Sequence, residues 1–363
     1  MELRTIVSSD ALFLVLCSLI AVALSWACPR SIAWYAVGIW SAFSLALISP
    51  VSVAWLLGAT LTVSGSMWLG DRFNQQNAAA LITSVALFAA LLTFRQASTF
   101  LFIGSAYFTL RSIHVLLDWW MGKLPRPGLV RLLSYQFFLP VLTIGPIHRI
   151  QKFERECDRR RFDIQDFYTG AERALLGLAL AVSAGYVAVK IQKAFLTDPG
   201  TFWLSWLRSG LDWVELYATF SGFSSLAIGL ALMMGIRLEE NFNRPFLATN
   251  LVEFWTRWHI TLSMWCRDYV FTPVTALTRQ PGIGVLLAMI VMGLWHEVSA
   301  YYLLWAIWQM AGIVGSRMLQ TWLGSSPEST PRLAVRVAGP IAVFGWLSLA
   351  NPVITSLIRS TSA

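Results

Sequence analysis

The sequence predicts an all-α, polytopic membrane protein, and three observations carry that prediction. Hydrophobic residues fill 56% of the 363 positions, charged residues only 13%, and the mean hydropathy is +0.62. A soluble domain carries about 25% charged residues, so this surface is not mostly wet. The apolar residues also come in long unbroken runs, many close to the roughly 20 residues a helix needs to cross a bilayer. Finally, Trp (18), Tyr (9) and Phe (22) are abundant, and Trp68, Trp119, Trp120 and Trp206 stand at run ends, where interfacial anchoring puts such rings.

In order, the runs lie at 11–28, 32–48, 51–70, 78–94, 98–117, 130–147, 174–189, 211–236, 283–295, 299–322 and 334–358. They predict about nine to eleven membrane helices, the shorter ones tilted or re-entrant. The first run resembles a signal peptide in length, but its flank holds Glu2, Arg4 and Asp10, so an uncleaved first helix is expected. Polar stretches are short: 148–173, 237–258, and a Ser/Pro loop at 323–333. One membrane domain over residues 1–363 follows. The absence of matching halves counts against an inverted-repeat transporter.

The net charge of +8 reads as topology. Residues 148–161 hold six Lys/Arg (Arg149, Lys152, Arg155, Arg159, Arg160, Arg161) against three acids, which places this loop on the cytoplasmic side. Contact with anionic headgroups fits the same charges, whereas no recognition fold surrounds them to bind nucleic acid. Cys17, Cys28, Cys157 and Cys266 have no paired spacing, so neither a disulfide framework nor a metal site is predicted.

Two regions break the hydropathy pattern. In EFWTRWHITLSMWCRDY (253–269), read as one helix, Phe254, Trp255, Trp258, Leu262, Trp265 and Tyr269 share an arc. Glu253, Thr256, Arg257, His259, Thr261, Ser263, Cys266, Arg267 and Asp268 take the rest. An interfacial amphipathic helix accounts for this, as does a polar arc lining a wet cavity with His259, Ser263 and Cys266 as neighbours. In MGLWHEVSAYY (292–302), the joined apolar length is too great for one crossing, and a chain break near His296 and Glu297 resolves it. An ionisable pair beside an apolar run is costly, which makes this a functional candidate.

Among the four histidines, His114 reads as structural and His148 as a loop residue meeting water or headgroups. His259 is a candidate for chemistry or for orienting a neighbour. His296 is the strongest, with an apolar approach and an adjacent acid acting on it in opposite directions. Cys266 reads as a small buried residue, although a nucleophilic thiol lowered by Arg267 is the alternative. The NFNRP stretch at 241–245 reads as a turn between helices.

Five motifs then converge: EENFNRPF (239–246), EFWTRWHITLSMWCRDYV (253–270), GPIHR (145–149), FSGFSSLAIG (220–229) and MGLWH (292–296). Together they resemble the bacterial membrane-bound O-acyltransferases, in particular the branch of alginate O-acetylation and teichoic-acid D-alanylation. The likeness is strong over about 98–320. The resemblance implies a helix bundle around a central tunnel or funnel, two functional histidines, and acyl transfer to a hydroxyl. His296 takes the place of the catalytic histidine and His259 that of the second. Trp295, Glu297, Arg257, Arg244, Asn243 and Ser263 are the expected substrate contacts, with Arg244 or Arg257 meeting donor phosphates. Glu297 stands where this branch usually has Gly, Ser225 where Asp is common, and the segment after Tyr269 is abbreviated.

The expected reaction uses an acyl thioester, most simply acetyl-CoA, as co-substrate, with no bound cofactor or metal. The expected setting is a bacterial inner membrane, with a cell-surface or secreted polysaccharide as the destination. An extracytoplasmic acetyltransferase and polysaccharide-synthesis proteins are the implied partners. A transporter using intramembrane His and Arg is the rival class, and a weakly catalytic scaffold the third reading.

Overall fold

The computed structural model of the chain describes residues 9–97, 104–142, 144–195, 201–322 and 333–361, and its regular elements there are all helical. They begin with α1 (Ser9–Ala27), α2 (Arg30–Ile48), α3 (Pro50–Phe73), α4 (Gln76–Ala97) and α5 (Ser105–Trp120). Next come α6 (Leu129–Gln136), α7 (Ile150–Arg159), α8 (Ile164–Phe195) and α9 (Phe202–Met233). Last are α10 (Leu251–Arg257), α11 (Ile260–Cys266), α12 (Thr272–Thr278), α13 (Pro281–His296), α14 (Ala300–Trp322) and α15 (Leu333–Thr361). The charged flank at 1–8 and the Ser/Pro loop over 323–332 lie outside the described residues.

Five helices among the described residues are long and apolar enough to cross a membrane: Arg30–Ile48, Pro50–Phe73, Gln76–Phe94, Phe202–Met233 and Val335–Thr361. Leu12–Ala27 and Pro281–His296 are shorter apolar helices. Outward faces match this reading, since Leu61, Ile82 and Val85 are each more than half exposed. Such surface is stable against lipid and not against water.

The run at 130–147 is not a crossing. It makes the eight-residue α6, a short 3-10 turn (Leu139–Val141) and irregular chain around Pro140 and Pro146. Leu132, Tyr135, Phe137, Phe138, Leu139, Val141 and Leu142 are all buried. The run is apolar because it packs inside protein, where irregular backbone is tolerated.

The chain forms two compact units, Met1–Ala179 with Gly222–Glu239, and Leu180–Ser221 with Glu240–Ala363. In the first, α8 and α9 approach at two glycine pairs. A Cβ on Gly229 would lie 2.5 Å from the Gly170 carbonyl oxygen, and one on Gly177 would lie 2.5 Å from that of Gly222. The FSGFSSLAIG motif is therefore a close-packing face of the kind membrane helices use, built from small residues. Ser225 belongs to it: its Cβ is 2.9 Å from the Cβ position of Gly177.

This unit also buries a polar cluster on α5. The Arg111 guanidinium donates to the Gln136 carbonyl at 3.0 Å and lies over the Phe108 and Tyr135 rings. His114 Nδ1 faces Asp118 at 3.2 Å, while its Nε2 accepts the Ile150 backbone N–H at 3.1 Å. Gln151 donates to the same Asp118 carboxylate at 2.7 Å. His114 thus holds the start of α7, a structural role. His148 does not meet water or headgroups as its basic surroundings suggest. It is 1% exposed, packed on the rings of Tyr135 (4.9 Å), Phe153 (5.5 Å) and Phe138 (5.9 Å). Burial, reinforced by Arg111, holds its pKa well below 6.5.

Candidate functional site

The second unit contains both candidate histidines, and neither sits on a regular helix interior. Residues 253–269 do not form one continuous helix. The chain runs α10, a break at Trp258 and His259, α11, a π-helical turn (Arg267–Phe271) and α12. The amphipathic arc accordingly divides. Its aromatic members Phe254, Trp255, Trp258, Leu262 and Trp265 are buried as their spacing suggests. Of the polar set, His259, Thr261 and Cys266 are buried too, while Thr256 and Arg267 are exposed.

Local chemistry explains the break. Asn250 caps α10 by accepting the Glu253 N–H at 2.9 Å, and the Glu253 carboxylate reaches back to the Thr249 N–H (2.7 Å) and hydroxyl (2.8 Å). This reciprocal cap fixes where α10 starts. At its end Trp258 inserts into an aromatic cluster, 5.0 Å from Trp213 and 5.1 Å from Phe242. His259 then takes a left-handed conformation, φ 41° and ψ 54°. For a residue bearing a Cβ this costs about 1–2 kcal/mol. Such strain persists only where the surroundings impose it, and it gathers at functional sites.

The surroundings here are the NFNRP segment. Asn241 and Asn243 run alongside the break, the Asn241 carbonyl accepting the Ile260 N–H and the Arg257 carbonyl accepting the Asn243 N–H, both at 2.9 Å. The Asn241 side-chain oxygen faces His259 Nδ1 at 3.0 Å and the Thr261 hydroxyl at 2.9 Å. The turn expected at 241–245 thus splints the break between α10 and α11.

His259 is 2% exposed, edge-on to Phe220 at 4.7 Å and to Trp295 at 5.8 Å. Burial first, and then the nearby His296, hold its pKa well below 6.5, so the ring is neutral near pH 7. His296 is the last residue of α13, and the chain breaks after it as expected before α14 resumes at Ala300. At 16 residues α13 is about 24 Å long, short of a roughly 30 Å hydrocarbon core. The His296 ring lies 4.7 Å from Trp295, stacks on Tyr302 at 5.4 Å and 11°, and stands 6.2 Å from Trp305. The α13–α14 pair is tight at this point, since a Cβ on Gly293 would lie 2.8 Å from the Tyr302 carbonyl oxygen.

His259, Trp295 and His296 therefore come together, with Trp295 touching both imidazoles. The other expected contacts are spread out. Arg257 is paired with Glu253 at 2.6 Å, an interaction made within α10. Ser263 donates to the Trp258 carbonyl at 3.2 Å, which satisfies an acceptor at the helix break. Arg244 is exposed and begins the 3-10 turn Pro245–Leu247 at φ 45°, and Asn243 is exposed beside it. Glu297 is exposed in extended backbone, and the rings of Trp295, Tyr302 and Trp305 pack on His296. Cys266 is buried, which pushes its thiol up to about 12, and Arg267 pairs with Asp268 at 2.9 Å instead of lowering it. Among the described residues no group of three or more His, Cys, Asp or Glu is arranged to hold a metal.

These features define a helical membrane protein in which two histidines, set at two chain breaks, pack on one tryptophan, and sequence comparison supplies the family. The chain belongs to the membrane-bound O-acyltransferase family, whose family model matches residues 32–350. It is 31% identical over 250 residues to a probable alginate O-acetylase AlgI of Pseudomonas aeruginosa, covering 68% of this chain and 48% of that protein. With the protein of that name from Pseudomonas putida it is 30% identical, covering 81% and 61%. With the teichoic acid D-alanyltransferase of Bacillus subtilis it is 27% identical, covering 61% and 60%. The chain thus spans about half to three-fifths of the length of these relatives.

Proposed function

We propose that this protein is a membrane-embedded O-acyltransferase that moves an acyl group, most simply acetyl, from a thioester to a hydroxyl. The observation that carries the reading is the approach of two histidines, from two separate chain breaks, to one ring, that of Trp295. In this mechanism His296 takes the proton of the acceptor hydroxyl as its oxygen attacks the thioester carbonyl. The C–O bond forms, the C–S bond breaks, and the departing thiolate takes the proton back from the imidazolium. His259 orients a reactant beside it. Trp295, Tyr302 and Trp305 wall the His296 ring and exclude water, which would otherwise compete with the hydroxyl for the thioester.

The donor is acetyl-CoA reaching the site from the cytoplasmic side, with loop 148–161 on that face by its basic excess. With Arg257 committed to Glu253, Arg244 is the guanidinium left to meet donor phosphates. The membrane is the inner membrane of a bacterium. The acyl group is destined for a cell-surface or secreted polysaccharide, handed on by an extracytoplasmic acetyltransferase working with polysaccharide-synthesis proteins. One membrane domain performs the transfer. The test is mass spectrometry of surface polysaccharides and lipids from cells with and without the protein, alongside transfer from a radiolabelled thioester by the purified chain. Unchanged O-acylation and no transfer would refute the reading.

A further inference from the structure

The amide of Asn241 has a chemical consequence for His259. The residue is fully buried, and one side-chain atom meets three groups: the Thr261 backbone N–H at 3.4 Å, the Thr261 hydroxyl at 2.9 Å and His259 Nδ1 at 3.0 Å. A backbone N–H can only donate, so the atom facing it is the oxygen and not the NH₂. An oxygen only accepts, so Nδ1 of His259 carries the proton. A neutral imidazole has one N–H, and Nε2 is therefore an acceptor.

We propose that Asn241 is a positioning residue that locks His259 in the Nδ1-protonated tautomer, so that His259 faces the reactant it orients through a bare Nε2 that only accepts. In that form Nε2 can hold a donor group of the reactant, and it has no proton to offer the thioester carbonyl. This divides the labour between the histidines, His296 taking the hydroxyl proton and His259 holding a reactant, and it rests on the acyltransferase reading for the identity of that reactant. The other rings around His259 (Phe220, Phe242 and Trp295) are uncharged, and the titratable group acting on it is His296. The same amide also splints the break, so tautomer and backbone are set by one side chain.

The experiment is two-bond ¹⁵N–¹H correlation spectroscopy of the full chain, labelled with [¹⁵N]histidine in detergent, with His259→Asn assigning the resonance. Wild type is expected to show Nδ1 protonated and Nε2 bare from about pH 6 to about pH 8. Asn241→Leu is expected to mix the tautomers and to lower kcat on the order of 10²-fold, the range for misplacing a reactant. Asn241→Asp keeps the acceptor and adds a charge that favours imidazolium. It should restore the Nδ1–H form and move the acid limb of the rate profile to higher pH. An Nε2–H signal in wild type, or an unmixed tautomer in Asn241→Leu, overturns the lock. If the lock is present but no thioester is consumed, the tautomer assignment stands and the acyltransferase reading falls.

Discussion

Gly293 offers a way to disturb the site without touching a histidine. Its Cβ position is 2.8 Å from the Tyr302 carbonyl oxygen, about 0.6 Å inside the 3.4 Å at which ordinary contact begins. In Gly293→Ala the C-terminal turn of α13 and the first turn of α14 must therefore separate by about that amount. His296 lies one turn further along α13, and its ring stacks on Tyr302 itself, so the separation falls on the His296 wall. A misplacement of about 1 Å costs roughly 10²-fold in a positioned reaction, so a loss in kcat on the order of 10-fold is expected. Overpacking costs about 1–3 kcal/mol, offset in part by the roughly 1 kcal/mol that Ala gains over Gly in a helix. Gly315→Ala, on α14 with nothing within 4 Å of the new methyl, is the control and should keep its activity. The assay is transfer from a radiolabelled thioester by purified variants, at matched monodisperse protein on size exclusion. Wild-type turnover by well-folded Gly293→Ala would refute the argument that α13 packing sets the His296 geometry.

His296→Ala should remove about 10²–10⁴-fold of transfer while the protein still inserts, whereas Cys266→Ser should retain most of it; the reverse pattern would mean a thioester relay through the thiol. Gly229→Ala should lower the detergent-melting temperature and yield, because its methyl would meet the Gly170 carbonyl at 2.5 Å and the Ala174 nitrogen at 2.6 Å; Gly65→Ala, in open space, should not. His148, neutral in the fold, binds its proton more weakly there than in the unfolded chain. Its contribution is therefore complete above about pH 6.5 and falls by at most about 1.4 kcal/mol per unit as pH drops below that value. His148→Phe should flatten that acid slope in unfolding curves measured against pH. Cysteines introduced at exposed positions of 148–161 should be silent to an impermeant reagent added outside intact cells, and prompt labelling would reverse the orientation.

The helical class was legible because lipid demands what composition reports: long apolar runs and few charges. The break after His296 was legible too, since no single helix fits the joined length of α13 and α14. Periodicity misled at 253–269, where an aromatic arc at helical spacing continues across a broken helix. The arc survives because both short helices pack their rings inward, while the break is set by Asn241, distant in sequence and not visible to a local window. The same limit hid His148, placed in the wet loop by its basic neighbours although Tyr135 and Phe138 enclose it. Tyr302 and Trp305 wall His296, and while Tyr302 closes the stretch singled out at 292–302, neither is among the expected site residues. Their i, i+3 spacing at the start of α14, just beyond the break, was the available signal.

The left-handed backbone at His259 acts as a filter on what can replace it. β-branched residues are effectively shut out of that conformation, whereas Gly enters it freely and Asn, Asp and His more easily than most. A glycine there would relieve about 1–2 kcal/mol of backbone strain while discarding the imidazole. Selection for thermal stability alone in a mutant library would then drift toward Gly at this position. The strain that a glycine would remove is thus the cost of holding an imidazole at this point of the chain.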